Sequence, residues 1–428
     1  TDQDNPMEKS VLRQIIIDQQ ELFDQEEEFV ERDIDYDYYL KGEEIVIISG
    51  IRRCGKSTLL KIIAKKTENH TVHINFDDIR LSAFTIDDFE KIEQVLAELY
   101  GPDENYVLFL DEIQNAEHWE RWLNNLYAKG RKVFATGSNA QLLSSEISSY
   151  LTGRNKVIRL LPFSFKEYLH YHAVDLTSYP DRLTSTDKAR IFSHFNEYLN
   201  NGGFPVVIKN NDVAITRQYF EDILTKDVLL RYRIREIKEL KNLVLYLISN
   251  PGGIYSYSTL KSVSGIKSLS TIKKYIDYLI SVYLLYQIRR FDYSVKKQSV
   301  SSSKIYAGDN SFLKTVSFTF SENTGQKLEN LVFLHFIRKG AEVYYHRGKK
   351  ECDFVIKEGI QITGAVQVSA ELHDPVVRKR EISGLMEAMD SYKLESGLIL
   401  TMETEEPDIL LNDKKIEILP VWKWMLRS

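Results

Sequence analysis

The stretch Ile45-Val46-Ile47-Ile48-Ser49-Gly50-Ile51-Arg52-Arg53-Cys54-Gly55-Lys56-Ser57-Thr58-Leu59-Leu60 joins a short apolar run to a polar loop bounded by two glycines. Four consecutive apolar residues, Ile45 to Ile48, predict a buried strand, and Thr58 to Ile63 predicts the helix that follows. Between them, residues 50–57 satisfy Gly-x-x-x-x-Gly-Lys-Ser in full. The glycines let the backbone curl so that N–H groups at the helix N-terminus face phosphate oxygens. Residues 50–58 (Gly50, Ile51, Arg52, Arg53, Cys54, Gly55, Lys56, Ser57 and Thr58) are therefore the expected nucleotide-binding residues. Lys56 is expected to reach the β- and γ-phosphates, and Ser57 to ligate magnesium. Composition alone produces such an octet in about one chain in 70 of this length, and the strand-before, helix-after context makes the phosphate reading the stronger one.

Further strands are expected at Thr71–Phe76, Tyr106–Leu110, Lys132–Thr136 and Lys156–Leu160, with helices at Asp87–Tyr100 and His118–Tyr127. This alternation predicts a parallel sheet covered on both faces. Asp111-Glu112 follows the third run, at the carboxyl edge where open α/β sheets bind ligands. ATP and Mg2+ are thus the expected cofactors, with Asp111 organising the metal and Glu112 orienting or deprotonating water. Ser138 or Asn139, after the fourth run, is placed to sense the γ-phosphate, and either could instead cap a helix beginning near Ala140. The Cys54 thiol, beside Lys56 and a helix N-terminus, is expected to favour thiolate.

Composition narrows the classes. The chain has 428 residues, 43% hydrophobic and 28% charged, which predicts two or three folded domains. A net charge of −6 gives no global basic signal, so any DNA contact must be local. The two cysteines, Cys54 and Cys352, are not expected to make a secreted disulfide framework or a four-ligand zinc site. With no signal peptide or membrane span legible, the cytoplasm is the expected compartment and no membrane partner is expected.

The set ISGIRRCGKSTLL (48–60), INFDD (74–78), LFLDEIQ (108–114), ATGSNAQLL (135–143), LTGR (151–154) and LPFSFKEYL (161–169) resembles a broad bacterial and archaeal family of AAA-like P-loop ATPases with a winged helix and a C-terminal restriction-endonuclease-like domain of the DUF4143 type. The resemblance covers nearly the whole chain. It implies an α/β fold with a five-stranded P-loop core, Asn139 or Ser138 as sensor, and Arg154 as an arginine finger. A planar guanidinium suits that role, although Arg52 and Arg53 are alternative cations and Arg154 equally suits a solvated edge.

The expected divisions are residues 1–161 for the N-terminal segment and ATPase core, 162–236 for a helical lid or linker, 237–302 for a winged-helix-like domain, and 303–428 for a nuclease-like domain. Helices are expected at Leu240–Ser249, Ser258–Val263 and Ser270–Leu285, with Ser270 as an N-cap, and wing strands at Ile288–Tyr293 and Lys304–Tyr306. Lys267, Ser268, Lys273 and Lys274 are placed to face DNA, with Arg289, Arg290, Lys296 and Lys297 reaching phosphates. The same module equally fits a protein partner or a homo-oligomer. In the last region Glu329 and Asp353 match the first two acidic positions of the resembled nuclease site. Gln367 and Ser369 stand where Glu and Lys are required, so nuclease activity is not expected. Glu371, read as two positions farther along the same strand, is the expected compensating ligand.

Overall fold

The structure, a computed structural model, describes residues 7–102, 104–139, 151, 153–176, 179, 183–317 and 323–427. The chain divides into two compact units, Thr1–Leu160 and Leu161–Ser428.

The first unit is built on five parallel strands: β1 (Ile45–Ser49), β2 (His70–Asn75), β3 (Tyr106–Asp111), β4 (Val133–Gly137) and β5 (Asn155–Arg159). Their order across the sheet is β2-β3-β4-β1-β5. All residues of β1, β3 and β4 are buried, which is why they read as continuous apolar runs rather than alternations. Helices Asp88–Tyr100 and Trp119–Ala128 bury Phe89, Ile92, Val95, Trp122 and Leu123 in the same core as Leu108, Leu110 and Ala135. Each such side chain contributes about 1.5–3 kcal/mol relative to exposure. The N-terminal helix Lys9–Phe23 covers the open edge of β2 with two glutamines. Gln19 accepts from the Asn75 N–H (2.9 Å) and donates to its carbonyl (3.1 Å), and Gln20 accepts from the His73 N–H (2.8 Å). An exposed edge that would recruit another strand is thereby satisfied by side chains. The helix expected from Ala140 lies outside the described residues.

The second unit begins with helix Phe165–Tyr171, started by a capping box between Ser164 and Glu167. Helices Ser185–Asn201, Pro205–Asn210 and Ile215–Asp222 follow, the last running into a π-helical turn pair, Ile223–Leu230. Helices Ile237–Ile248, Tyr257–Ser264 and Leu269–Ser281 then precede an antiparallel sheet in the order β6-β8-β7, made of β6 (Ile254–Tyr255), β7 (Leu285–Arg289) and β8 (Ser303–Ala307). Several boundaries differ from expectation, among them the first wing strand, expected at Ile288–Tyr293 and found at Leu285–Arg289. The helix expected to reach Leu285 stops at Ser281, because Tyr283 adopts a left-handed conformation (φ 60°) and Leu285 already opens β7. Its N-cap is Ser268 rather than Ser270.

The remainder is a six-stranded mixed sheet, β13-β14-β12-β11-β10-β9. Its strands are β9 (Glu342–Arg347), β10 (Glu351–Glu358), β11 (Gln361–Ser369), β12 (Ser396–Thr401), β13 (Glu406–Leu411) and β14 (Lys414–Pro420). Helix Pro375–Tyr392 packs Leu385, Ala388 and Met389 against Val355, Ala365 and Ile399. Helix Thr324–Arg338 carries Glu329.

Candidate functional site

At the carboxyl edge of the first sheet, β1 leads into the phosphate loop. Gly50 has no room for a side chain: a Cβ there would lie 2.0 Å from the Leu160 carbonyl oxygen. Gly55 holds φ 100° as the N-cap of helix Lys56–Lys66, a conformation that L side chains rarely adopt. The first-turn N–H groups of this helix thus open onto the loop. Lys56 is buried, its ammonium donating to the carbonyls of Gly50 (3.2 Å) and Ile51 (3.4 Å), 3.7 Å from Glu112 Oε1. Ser57 and Thr58 are exposed on the first turn.

Asp111 and Glu112 close the other side. Burial, followed by the neighbouring Glu112 charge, pushes Asp111 above the usual carboxylate range, while hydrogen bonds from Ser57 and Thr136 and the Lys56 charge oppose that rise. The Thr136 hydroxyl is the joint of the site: it donates to Asp111 Oδ1 and accepts the Glu112 N–H at 3.0 Å. Glu112 itself sits in the left-handed region, φ 49°, with Gln114 Nε2 donating to its carboxylate. That unusual backbone conformation turns the carboxylate away from the strand direction and toward Lys56. Asn139 is buried beside them, its carbonyl accepting from Ser49 Oγ at 3.2 Å. The Ser138 hydroxyl is buried without a hydrogen-bond partner among the described residues. Because β4 lies between β1 and β3, the expected Lys56, Ser57, Asp111, Glu112, Ser138 and Asn139 all reach one edge.

Arg154 stands apart from the other expected residues, and Cys54 does not behave as read. The Ile45 N–H donates to the Arg154 carbonyl, so Arg154 stands where β1 starts, whereas the phosphate loop leaves where β1 ends. Its guanidinium binds Asn124 and lies 5.5 Å from the Tyr127 ring centre. Within one chain it is at the wrong edge of the sheet for a phosphate contact. Cys54 is wholly buried, and burial raises its thiol above the ordinary value against the opposing pull of Lys56 and Arg32. Proximity to a cation favours thiolate only where the charge is solvated, and desolvation wins here.

Sequence reasoning missed Thr136 as a binding side chain and missed Arg32 altogether. Arg32 is 5% exposed and donates from Nη1 to the Cys54 carbonyl at 3.1 Å, bracing the loop from the N-terminal segment. It lies in an acidic, polar run that carries no local signal of burial.

In the second unit a cavity of ≈ 560 Å³ is lined by Glu329, Glu351, Asp353, Gln367, Ser369 and Glu381, among others. Glu329, Asp353, Gln367 and Ser369 therefore do come together. Asp353 accepts the Val368 N–H (3.0 Å), and Gln367 accepts the Asp353 N–H (3.2 Å) while donating to Glu381 (2.6 Å). Glu371 does not join them. β11 ends at Ser369, so the two-residue strand period stops short, and the Glu371 carbonyl accepts from Ser369 Oγ (2.8 Å). The additional carboxylate comes instead from Glu381, on the following helix.

Residues 42–169 match the family described as AAA domain, and residues 192–323 match a domain of unknown function, DUF8612. Uncharacterized protein MJ1544 of Methanocaldococcus jannaschii is 32% identical over 438 residues, covering 98% of this chain and 96% of that protein. An uncharacterized protein of Haemophilus influenzae is 30% identical over 399 residues, covering 90% and 94%. Among solved structures, the Thermotoga maritima RuvB Holliday junction branch migration motor aligns at 16% identity over 58% of this chain and 82% of that chain, with a TM-score of 0.29. Among the described residues no helix is long and apolar enough to cross a membrane.

Proposed function

Since this chain belongs to the family of the uncharacterized Methanocaldococcus jannaschii and Haemophilus influenzae proteins and carries an AAA domain at residues 42–169, we propose that it binds and hydrolyses ATP with magnesium and couples the cycle to a conformational change. The observation that carries this reading is the convergence of Lys56, Ser57, Asp111 and Glu112 at one sheet edge, with Thr136 fixing both carboxylate residues. The donor set suits a hard cation: a hydroxyl and a carboxylate already in hydrogen-bond contact, both oxygen ligands. Ser57 and Asp111 would hold magnesium, which when bound neutralises charge on the β- and γ-phosphates.

The loop N–H groups and Lys56 bind the phosphates, and Lys56 exchanges its loop carbonyls for phosphate oxygens. Glu112 orients the attacking water and takes its proton. Ser138, whose hydroxyl is unpartnered among the described residues, or Asn139 responds to the γ-phosphate. Arg154, at the opposite sheet edge, serves a nucleotide only in a neighbouring copy, which ties its role to a homo-oligomer. Nucleotide titration together with phosphate release tests this assignment.

For the second unit we propose a helical lid at 162–236, a winged helix at 237–302 and a nuclease-like domain without cleavage activity at 303–428. Its partner is DNA, bound through Lys267, Lys273 and Lys274. A protein partner is the second reading, favoured by the exposure of Val263 (41%) and Leu269 (49%) on either side of the turn joining the last two helices. Salt-dependent duplex binding supports the first reading, and a co-purified protein with no duplex binding supports the second.

A further inference from the structure

β8 contributes a lysine to the interior. Lys304 is 1% exposed, and its ammonium lies 3.2 Å from Glu329 Oε1, 2.9 Å from Glu351 Oε1 and 3.1 Å from Asp353 Oδ1. The ammonium donates hydrogen bonds to Glu329 and Asp353, and Glu351 completes the cluster as an ion pair. The supporting shell is equally built. Tyr306, on the same face of β8 two residues on, donates to Glu329 Oε1 at 2.7 Å. Gly252 closes over Glu329 so tightly that a Cβ would come within 2.6 Å of both carboxylate oxygens. The second Asp353 oxygen is taken by the Val368 N–H.

We propose that Lys304 is a resident counter-ion, its ammonium occupying the point on which Glu329, Glu351 and Asp353 converge, so that this pocket is closed to divalent metal ions while the lysine is present. A divalent cation needs several oxygens converging at about 2.0–2.6 Å. An ammonium already at hydrogen-bond distance from the three best candidates fills that space and repels a second cation. Burial pulls the ammonium toward neutrality, but Glu329, Asp353 and Glu351 outweigh it and hold its affinity for the proton above the ordinary lysine range. The folded protein therefore favours the ammonium form. This explanation is separate from the Gln367 and Ser369 replacements, and it rests on the geometry of residues 252–368 rather than on ATP hydrolysis.

The test is Mn2+ binding by electron paramagnetic resonance on nucleotide-free, full-length protein carrying Asp111→Asn to silence the phosphate loop. With Lys304 intact, Mn2+ uptake is expected to be the same with Asp353 or Asp353→Asn. Lys304→Ala is expected to gain one Mn2+ site, about tenfold or more tighter than any residual binding, and Lys304→Ala with Asp353→Asn to lose it. Asp353-dependent uptake with Lys304 intact overturns the proposal, as does a folded Lys304→Ala protein that gains no site. Should Lys304→Ala not fold, the comparison of Asp353 with Asp353→Asn in the lysine-bearing protein still decides. Loss of ATP turnover in Lys56→Ala leaves every one of these outcomes unchanged, so the two readings fail separately.

Discussion

Thr136→Val keeps the volume of a buried side chain and deletes the single hydroxyl that joins Asp111 to Glu112. Thr136 is fully buried, and its Oγ1 serves both a carboxylate oxygen and a backbone N–H. Leaving the Glu112 N–H unpaired costs about 1–3 kcal/mol, and removing a hydrogen bond to a charged group costs about 1.5–3 kcal/mol. Asp111 keeps its bond from Ser57, so the lower half of that sum, about 3 kcal/mol, is expected, equivalent to roughly a hundredfold change in a local opening equilibrium. The sign with pH follows from Asp111. Its folded pKa already lies above the ordinary carboxylate value, so the folded state binds more protons than the unfolded state and stability falls as pH rises. Losing a donor extends that window upward, which makes Thr136→Val less damaging in acid than at neutrality. Hydrogen exchange of the 106–116 segment in nucleotide-free protein, at pH 5 and pH 7, measures this. Thr136→Ser retains the hydroxyl and is expected to restore protection. Exchange unchanged in Thr136→Val at both pH values would refute the role given to this residue.

Burial lowers His73 to about 4, the nearby Lys61 charge adding to the effect. Stability present above the ordinary histidine range is therefore lost as pH falls from about 6.5 toward 4, by roughly 3 kcal/mol at most, and His73→Phe, which can keep the stack on Phe23, is expected to flatten that slope in urea titrations of the first unit. Cys54 is expected to resist alkylation in the folded protein whether or not nucleotide is bound, as read by mass spectrometry; rapid labelling of empty protein would show the loop to be more open than its buried thiol indicates. Purified full-length protein given linear, nicked and branched DNA with magnesium or manganese is expected to leave it intact, with or without ATP; cleavage abolished by Asp353→Ala would contradict the non-cleaving reading.

The P-loop core was legible because its strands are buried on both faces and its binding residues follow them at fixed short offsets. A glycine-bounded loop after β1 and an acidic pair after β3 need only a parallel sheet to meet. What escaped is everything set by distant chain. Arg154 enters through the family resemblance, and the sheet edge it occupies is set by the pairing of its carbonyl with the start of β1. Cys54 has cations nearby in sequence, yet its burial is decided by how the whole loop is covered. Lys304 enters the sequence reading only as the start of a wing strand, and the arrival of the helix bearing Glu329 and the strand bearing Glu351 and Asp353 encloses it. Glu381 likewise reaches Gln367 from the next helix, where a period-two strand argument could not look. Charged residues inside a core are identified by their partners, and those lie on other elements, 14 positions away for Gln367 and Glu381 and 25 for Lys304 and Glu329.

The most direct measurement is phosphate release from magnesium-ATP by the full-length protein, set beside nucleotide titrations of Glu112→Gln and Lys56→Ala. The native chain is expected to turn over. Glu112→Gln, which keeps the shape of the side chain without its basicity, is expected to bind nucleotide with near-native affinity and release phosphate about 10²–10⁴-fold more slowly. Lys56→Ala is expected to lose tight binding and turnover together. Native protein that consumes no ATP, or a Glu112→Gln variant that turns over at the native rate, would contradict the account.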